Sequence, residues 1–278
     1  RCGKSFRLKR RDVRDRAALS GYVLDRSTYA RLGERWKVDR SNAYRRVLRA
    51  LIRRRSVLER TKRLLKKTDG ICLLDGKHVR ISGLAFTAFM AWDRGLGRPI
   101  HFLLKEGGEK ELWYWRLMVD LRHAGYEPKA FVSDGCMALK DFVAESFPGI
   151  PHQRCAVHVF LRARSLIARG GFLKTERASL LIEILKRIIW SRTLASAKKR
   201  LARVAAMPEL SHGERRAVRF VSDALGECFV AVDPRWRRLR LPRSSNAIEN
   251  AIGQIEARLK TRRGSKSIAS VERLINEL

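Results

Sequence analysis

Asp75, Asp134 and Glu249 are the residues whose types and settings could do chemistry. Asp75 closes the run GICLLD (70–75), which reads as a strand, and Gly76 follows it. Asp134 closes a second such run, KAFVSD (129–134), and Gly135 follows. Glu249 falls in the first turn of a helix that opens in SNAIEN (245–250). Two acids at the tips of neighbouring strands, with a third reaching over from a helix, can bridge two Mg2+ or Mn2+ ions about 4 Å apart. Such a pair activates an attacking oxygen and stabilises a leaving one at a phosphodiester. Each residue also has a plainer reading. Asp-Gly is a common turn signal. Asn246 and Glu249 have the spacing of a capping box, with Asn as cap and Glu at the third helical position. Cys155 and His158 form Cys-x-x-His, half of a zinc site with no second pair nearby. A buried thiol and a hydrogen-bonded core imidazole explain them equally well.

These residues need elements to hold them. Strand patterns run over 70–75, 77–83, LAFTAFMAW (84–92) and RPIHFLLK (98–105), with turns at Asp93 to Gly97. A helix over 109–125 follows, with Leu112, Trp115, Leu117, Val119 and Leu121 among its apolar positions. Next come the strand at 129–134, a helix at 138–147, a short strand in HQRCAVH (152–158) and helical pattern over 156–230. A last helix spans about 246–262. A strand meander followed by strand–helix alternation implies an α/β domain with a mixed sheet. The stretch 160–240 is too long for a connection and reads as a helical insertion. Trp113, Trp115 and Trp190 read as packing residues rather than base-stacking platforms.

Charge narrows the partners. Among 278 residues, 61 are Lys or Arg and 28 are Asp or Glu, a net charge of +33. Such a field repels itself unless it meets a polyanion, and nucleic acid is the default. Residues 1–68 hold 24 Lys and Arg against six Asp and Glu, and so carry +18 of that excess. Within them, residues 27–54 have a helix-turn-helix pattern. Tyr29, Leu32 and Trp36 share one face, Val38 occupies the turn, Asp39 or Ser41 caps, and Ala43, Val47, Leu48 and Leu51 form the second apolar face. Arg40, Arg45, Arg46 and Arg49 then fall mainly on the exposed side, where a second helix meets bases and phosphates of double-stranded DNA. An ordinary basic helical hairpin is the alternative. The five Cys are odd in number and irregularly spaced, unlike a secreted disulfide scaffold. No run approaches the roughly 18 apolar residues of a membrane helix, and no secretory signal is visible, so a prokaryotic cytoplasm is the expectation. The start at Arg1 and the stop inside SVERLINEL read as a piece of a longer frame.

The stretch 131–158 carries Ser133-Asp134-Gly135, then Phe147-Pro148, then Gln153-Arg154-Cys155 with His158. This block resembles the second-acid block of Mutator-like transposases and their bacterial insertion-sequence relatives. LLDGKHVRI (73–81) is similar to their first-acid block, and SSNAIENAIGQIEARLKTRRG (244–264) to their last. The resemblance covers about residues 70–264, and the basic arm before it fits too. One departure is VFLRARS (159–165), where these relatives often place Arg-Asn after the His. The resemblance implies a ribonuclease-H-like fold interrupted by helices between the second and third acids. It also implies Asp75, Asp134 and Glu249 as catalytic, metal-holding residues, with Cys155 and His158 as accessories shaping the pocket. The implied activity is metal-dependent cleavage of mobile-element ends and strand transfer into target DNA, by a homodimer or higher oligomer on that DNA. Lys77, Lys260, Arg262 and Arg263 are candidates for holding phosphates. Cys2, in RCGKSFR, looks like the last knuckle of a zinc ribbon whose other ligands lie upstream. Two rival readings remain: a domesticated DNA-binding regulator without catalysis, and a nuclease of the same fold without strand transfer.

Overall fold

In the computed structural model, residues 17–25, 27–169, 175–261 and 267–277 are described. Five strands form one mixed sheet: β1 (Ile71–Ile81), β2 (Leu84–Asp93), β3 (Arg98–Glu106), β4 (Ala130–Ser133) and β5 (His152–Arg154), in the order β3-β2-β1-β4-β5. The first three pair antiparallel, and β4 and β5 join parallel to β1. The β1–β2 hairpin closes on Ser82 and Gly83, both at positive φ, as a two-residue turn matched to strand twist requires.

β1 is one long strand. The sequence reading broke it at Asp75-Gly76, but the ladder runs straight through, Asp75 opposite Met90 and Gly76 opposite Phe89. Gly76 serves proximity rather than a turn: a Cβ there would strike the Glu109 carboxylate and stand 2.6 Å from the Tyr114 hydroxyl. Burial changes character at the same point. Ile71 to Leu74 are all buried, whereas beyond Asp75 only alternate residues, Val79 and Ile81, are. The first half is therefore covered on both faces and the second on one.

Two apolar cores do the covering. On one face, Cys72, Leu74, Phe89 and Ala91 pack under helices α4 (Glu111–His123) and α5 (Met137–Ser146). The buried stripe of α4 is Tyr114, Leu117, Met118 and Leu121, and Leu112 and Trp115, read from sequence as apolar positions of this helix, face solvent. Only a stripe one helical face wide meets the sheet, and those two fall outside it. On the other face, Ile71, Leu73, Met90 and Val132 share a core with α10 (Asn246–Thr261) and α11 (Ile268–Ile275).

The basic arm joins that second core. Helices α1 (Tyr29–Trp36) and α2 (Arg40–Arg53) are capped by Thr28 and Asp39. Lys37 at φ 52° turns the chain, and Gly33 leaves room for the Val38 carbonyl, which a Cβ would meet at 2.6 Å. Leu32, Ala43 and Val47 are buried with the sheet and with α10 and α11. A short helix, α3 (Val57–Lys62), follows and fixes Thr61 to the Ile100 carbonyl of β3.

Between α5 and α10, four helices build a third core of their own: α6 (Ala156–Ala168), α7 (Glu176–Ile189), α8 (Leu194–Ala205) and α9 (His212–Cys228).

Candidate active site

Register brings the two Asp together. β1 and β4 pair Leu73 with Val132, so Asp75 and Asp134, each two residues further along, come side by side. Side chains alternate along a strand, so both acids lie on the face of Leu73 and Val132, which α10 covers. α10 is pressed there by Ile248, Ile252 and Ile255, with Leu259 packed behind, and this aims its first turn at the two strands. Glu249 sits in that turn.

The three carboxylates act on one another through charge. The Asp75 carboxyl is pushed up to about 7, first by burial and then by Asp134 and Glu249, with His158 and the Gly76 N–H acting against them. The Gly76 N–H donates to Asp75 Oδ1 at 2.9 Å, and the Cys136 N–H to Asp134 Oδ1 at 2.9 Å.

Glu249 is held from two sides. The Ser245 hydroxyl donates to its Oε1 at 2.7 Å, and His158 Nδ1 lies 3.5 Å from the same oxygen, an ion pair rather than a hydrogen bond. The capping-box alternative is not what forms: Asn246 is the first helical residue, and the Ser245 carbonyl receives the N–H groups of Ile248 and Glu249. Nor is Cys155 an isolated thiol. It accepts from the Ser245 N–H at 3.3 Å, and hydrogen bonds from His158 and Ser245 outweigh its burial and hold the thiol below its ordinary value. The bond to Cys155 in turn leads in raising His158 to about 9, against burial and with help from Glu249 and Asp134.

The Gln153-Arg154-Cys155-x-x-His158 block ties several elements together around the acids, its first two residues both to α9. Gln153 is fully buried, donates to the Cys228 carbonyl at the end of α9 and accepts from the Ala231 N–H at 2.7 Å. Arg154 pairs with Glu227 of α9 at 3.0 Å and packs against Gly135, whose φ of +84° and lack of Cβ make that approach possible. The Cys155 N–H continues the sheet by donating to the Ser133 carbonyl, and the Ala156 N–H donates to the Arg243 carbonyl. Arg243 bonds the Ile189 and Ser191 carbonyls at the end of α7 and stacks on Phe229. The helical body thus anchors the irregular segment that leads into α10.

Sequence reasoning missed three members of this neighbourhood. Ser245 lay in plain sight within SSNAIEN. Glu109 and Tyr114, on the other side of Gly76, had no signal: the Tyr114 hydroxyl faces Glu109 at 3.4 Å, and burial together with Glu109 pushes the Cys136 thiol up to about 11. The basic candidates are dispersed. Arg40, Arg45 and Arg49 are exposed on α2, Arg46 is half-buried, and Lys77 pairs with Glu256 of α10 at 3.2 Å. Cys2, Arg262, Arg263 and the Lys260 side chain lie outside the described residues.

The profile of a family described as "Transposase, Mutator family" matches residues 98–278, well over half of the chain and both of the later acid blocks. The chain belongs to the Mutator family of transposases. The transposase is also similar to a solved structure titled "Drosophila P element transposase strand transfer complex", at 13% identity and a TM-score of 0.47, over 94% of this chain and 90% of that one. Comparison with curated proteins finds no match. Among the described residues of the transposase, no helix is long and apolar enough to cross a membrane.

Proposed function

We propose that this transposase cuts mobile-element DNA at the element ends and joins them to target DNA, with Asp75, Asp134 and Glu249 as the acidic triad of a ribonuclease-H-like core. The observation that carries this reading is the meeting of three carboxylates from β1, β4 and α10 on one face of the sheet, close enough that Asp134 and Glu249 both raise the Asp75 carboxyl. That repulsion is the signature of a site suited to divalent cations, and hard anionic oxygens fit Mg2+ or Mn2+. Two such ions held by the triad would supply charge stabilisation to the attacking and leaving oxygens of a phosphodiester. The sheet order, with three antiparallel strands and two parallel ones joined through helices, supports the ribonuclease-H-like assignment.

The chain's own contribution is position and charge. β1 and β4 fix the two Asp in step, Ser245 and His158 orient Glu249, and the arginines of α2 neutralise phosphates of the duplex. The proposed reaction is hydrolysis at an element end, which frees a 3′-hydroxyl, followed by attack of that hydroxyl on target DNA at the same site. The test uses DNA carrying the inverted repeats that flank the reading frame, with Mg2+ or Mn2+. The parent protein is expected to cleave and to transfer strands. Asp75→Asn, Asp134→Asn and Glu249→Gln are each expected to lose both activities while still binding the DNA. Their losses should not add, because the residues act as a unit. Binding without cleavage by the parent would favour a regulator, and cleavage without joining a nuclease.

A further inference from the structure

Cys155, His158 and Glu249 each offer a ligand atom, and the three atoms lie within 4.8 Å of one another. We infer that these residues form a second cation site, selective for a thiophilic divalent ion such as Zn2+, which competes with the hard-ion site for Glu249. The chemistry differs from that of the Asp pair. Mg2+ does not take thiolate, whereas sulfur, imidazole nitrogen and carboxylate together are a zinc set.

Three features support it. The ligands come from two elements that are already tied: Cys155 and His158 frame the start of α6, and Glu249 opens α10. Ser245 supports two of the three ligands, its N–H on Cys155 Sγ and its hydroxyl on Glu249 Oε1, as outer partners do around bound metals. His158 Nδ1 is buried and faces Glu249 Oε1 at 3.5 Å, beyond ordinary hydrogen-bond contact, so the ring nitrogen is directed at the shared carboxylate. Bonds of roughly 2.0–2.3 Å to one ion require the three atoms to draw closer by only small side-chain rotations. The fourth position stays open for water or a phosphate oxygen.

The consequence for catalysis rests on the proposed role of Glu249, whereas the binding does not. An ion seated on Cys155 and His158 engages the oxygen that the Asp pair would share. Zn2+ is therefore expected to inhibit Mg2+-dependent cleavage, and a chelator specific for zinc to restore it.

The decisive measurement is optical and needs no DNA. Co2+ titrated into the full metal-free chain is expected to give thiolate-to-cobalt charge-transfer absorption, displaced by one equivalent of Zn2+ and unaffected by millimolar Mg2+. Asp75→Asn should keep this absorption. Cys155→Ser should abolish it and weaken Co2+ binding by at least about 100-fold, beyond the 10–100-fold that loss of a ligand's supporting partner costs. Absence of the band in the parent would overturn the inference without reference to any variant. Persistence in Cys155→Ser would assign it to another thiol, and loss in Asp75→Asn would make Asp75 a ligand of the same ion, so that no separate site exists; either overturns it. A parent that shows the band but cuts no DNA leaves the site standing and removes the catalytic reading, so the two fail separately.

Discussion

At the scale of single residues, Asp75 and Glu249 carry opposite predictions. The Asp75 carboxyl moves from an ordinary 3.8 to about 7 in the fold. Between those values the folded chain keeps a proton that the unfolded chain has released, so the stability this group allows at pH 4 is lost as the pH rises through 7. Asp75→Asn removes the penalty. The metal-free variant should melt above the parent at pH 8, by an amount on the order of 2–4 kcal/mol, and level with it near pH 4. Added Mg2+ should raise the melting temperature of the parent but not of the variant. Glu249→Gln should leave the metal-free fold within about 1 kcal/mol of the parent, because an amide oxygen still accepts from Ser245. Thermal melts across pH, with and without the ion, test both. A third residue is Gly76: Gly76→Ala puts a methyl against the hydroxyl of the buried Tyr114, which cannot retreat as the Glu109 chain can, and is expected to cost about 1–3 kcal/mol in urea unfolding.

At the scale of elements, the helical body acts as a brace. Gln153 stitches β5 to the end of α9, and Arg243 stitches the approach to α10 onto the end of α7. Gln153→Ala leaves the Cys228 carbonyl and the Ala231 N–H without their partner in a buried setting, each worth about 1–3 kcal/mol. The melting temperature should fall, and cleavage should fall further than stability explains, because Glu249 reaches the acids only if α10 is delivered correctly. Measuring cleavage well below the melting temperature separates the two effects. Two other acids near Glu249 in sequence are paired elsewhere: Glu256 with Lys77, and Asp233 with Arg235, capping the turn after it.

At the scale of the whole molecule, charge is the dominant fact. A chain with +33 should bind duplex DNA with an affinity that falls steeply with salt, by about a thousandfold or more between 50 and 200 mM if six or more phosphates are engaged. Changing Arg45, Arg46 and Arg49 together to Ala should lower the slope of log affinity against log salt by about 1 for each phosphate contact removed. A flat salt response would show that the basic surface does not meet phosphate. The full chain is the right material, since Leu32, Ala43 and Val47 of the arm are buried in a core shared with the sheet and α10.

Much of this was written locally. The order of strands and helices, the stripe on α10, the caps and turn between α1 and α2, and the turn at Gly135 follow from periodicity and turn chemistry, which depend on near neighbours in the chain. The excess of positive charge and the spacing of the acid blocks are also properties of sequence alone. Other features needed the chain to close on itself. Gly76 looked like a turn because its reason for being small, the approach of Glu109 and Tyr114, comes from more than 30 residues away. Asn246 looked like a helix cap because nothing local says that the Ser245 N–H is held by Cys155, 90 residues earlier, which places the helix start at Asn246. The meeting of residues 75, 134, 158 and 249 was set by the parallel register of β1 with β4 and by the packing of α10 across them. Both are long-range pairings whose geometry no window of sequence contains.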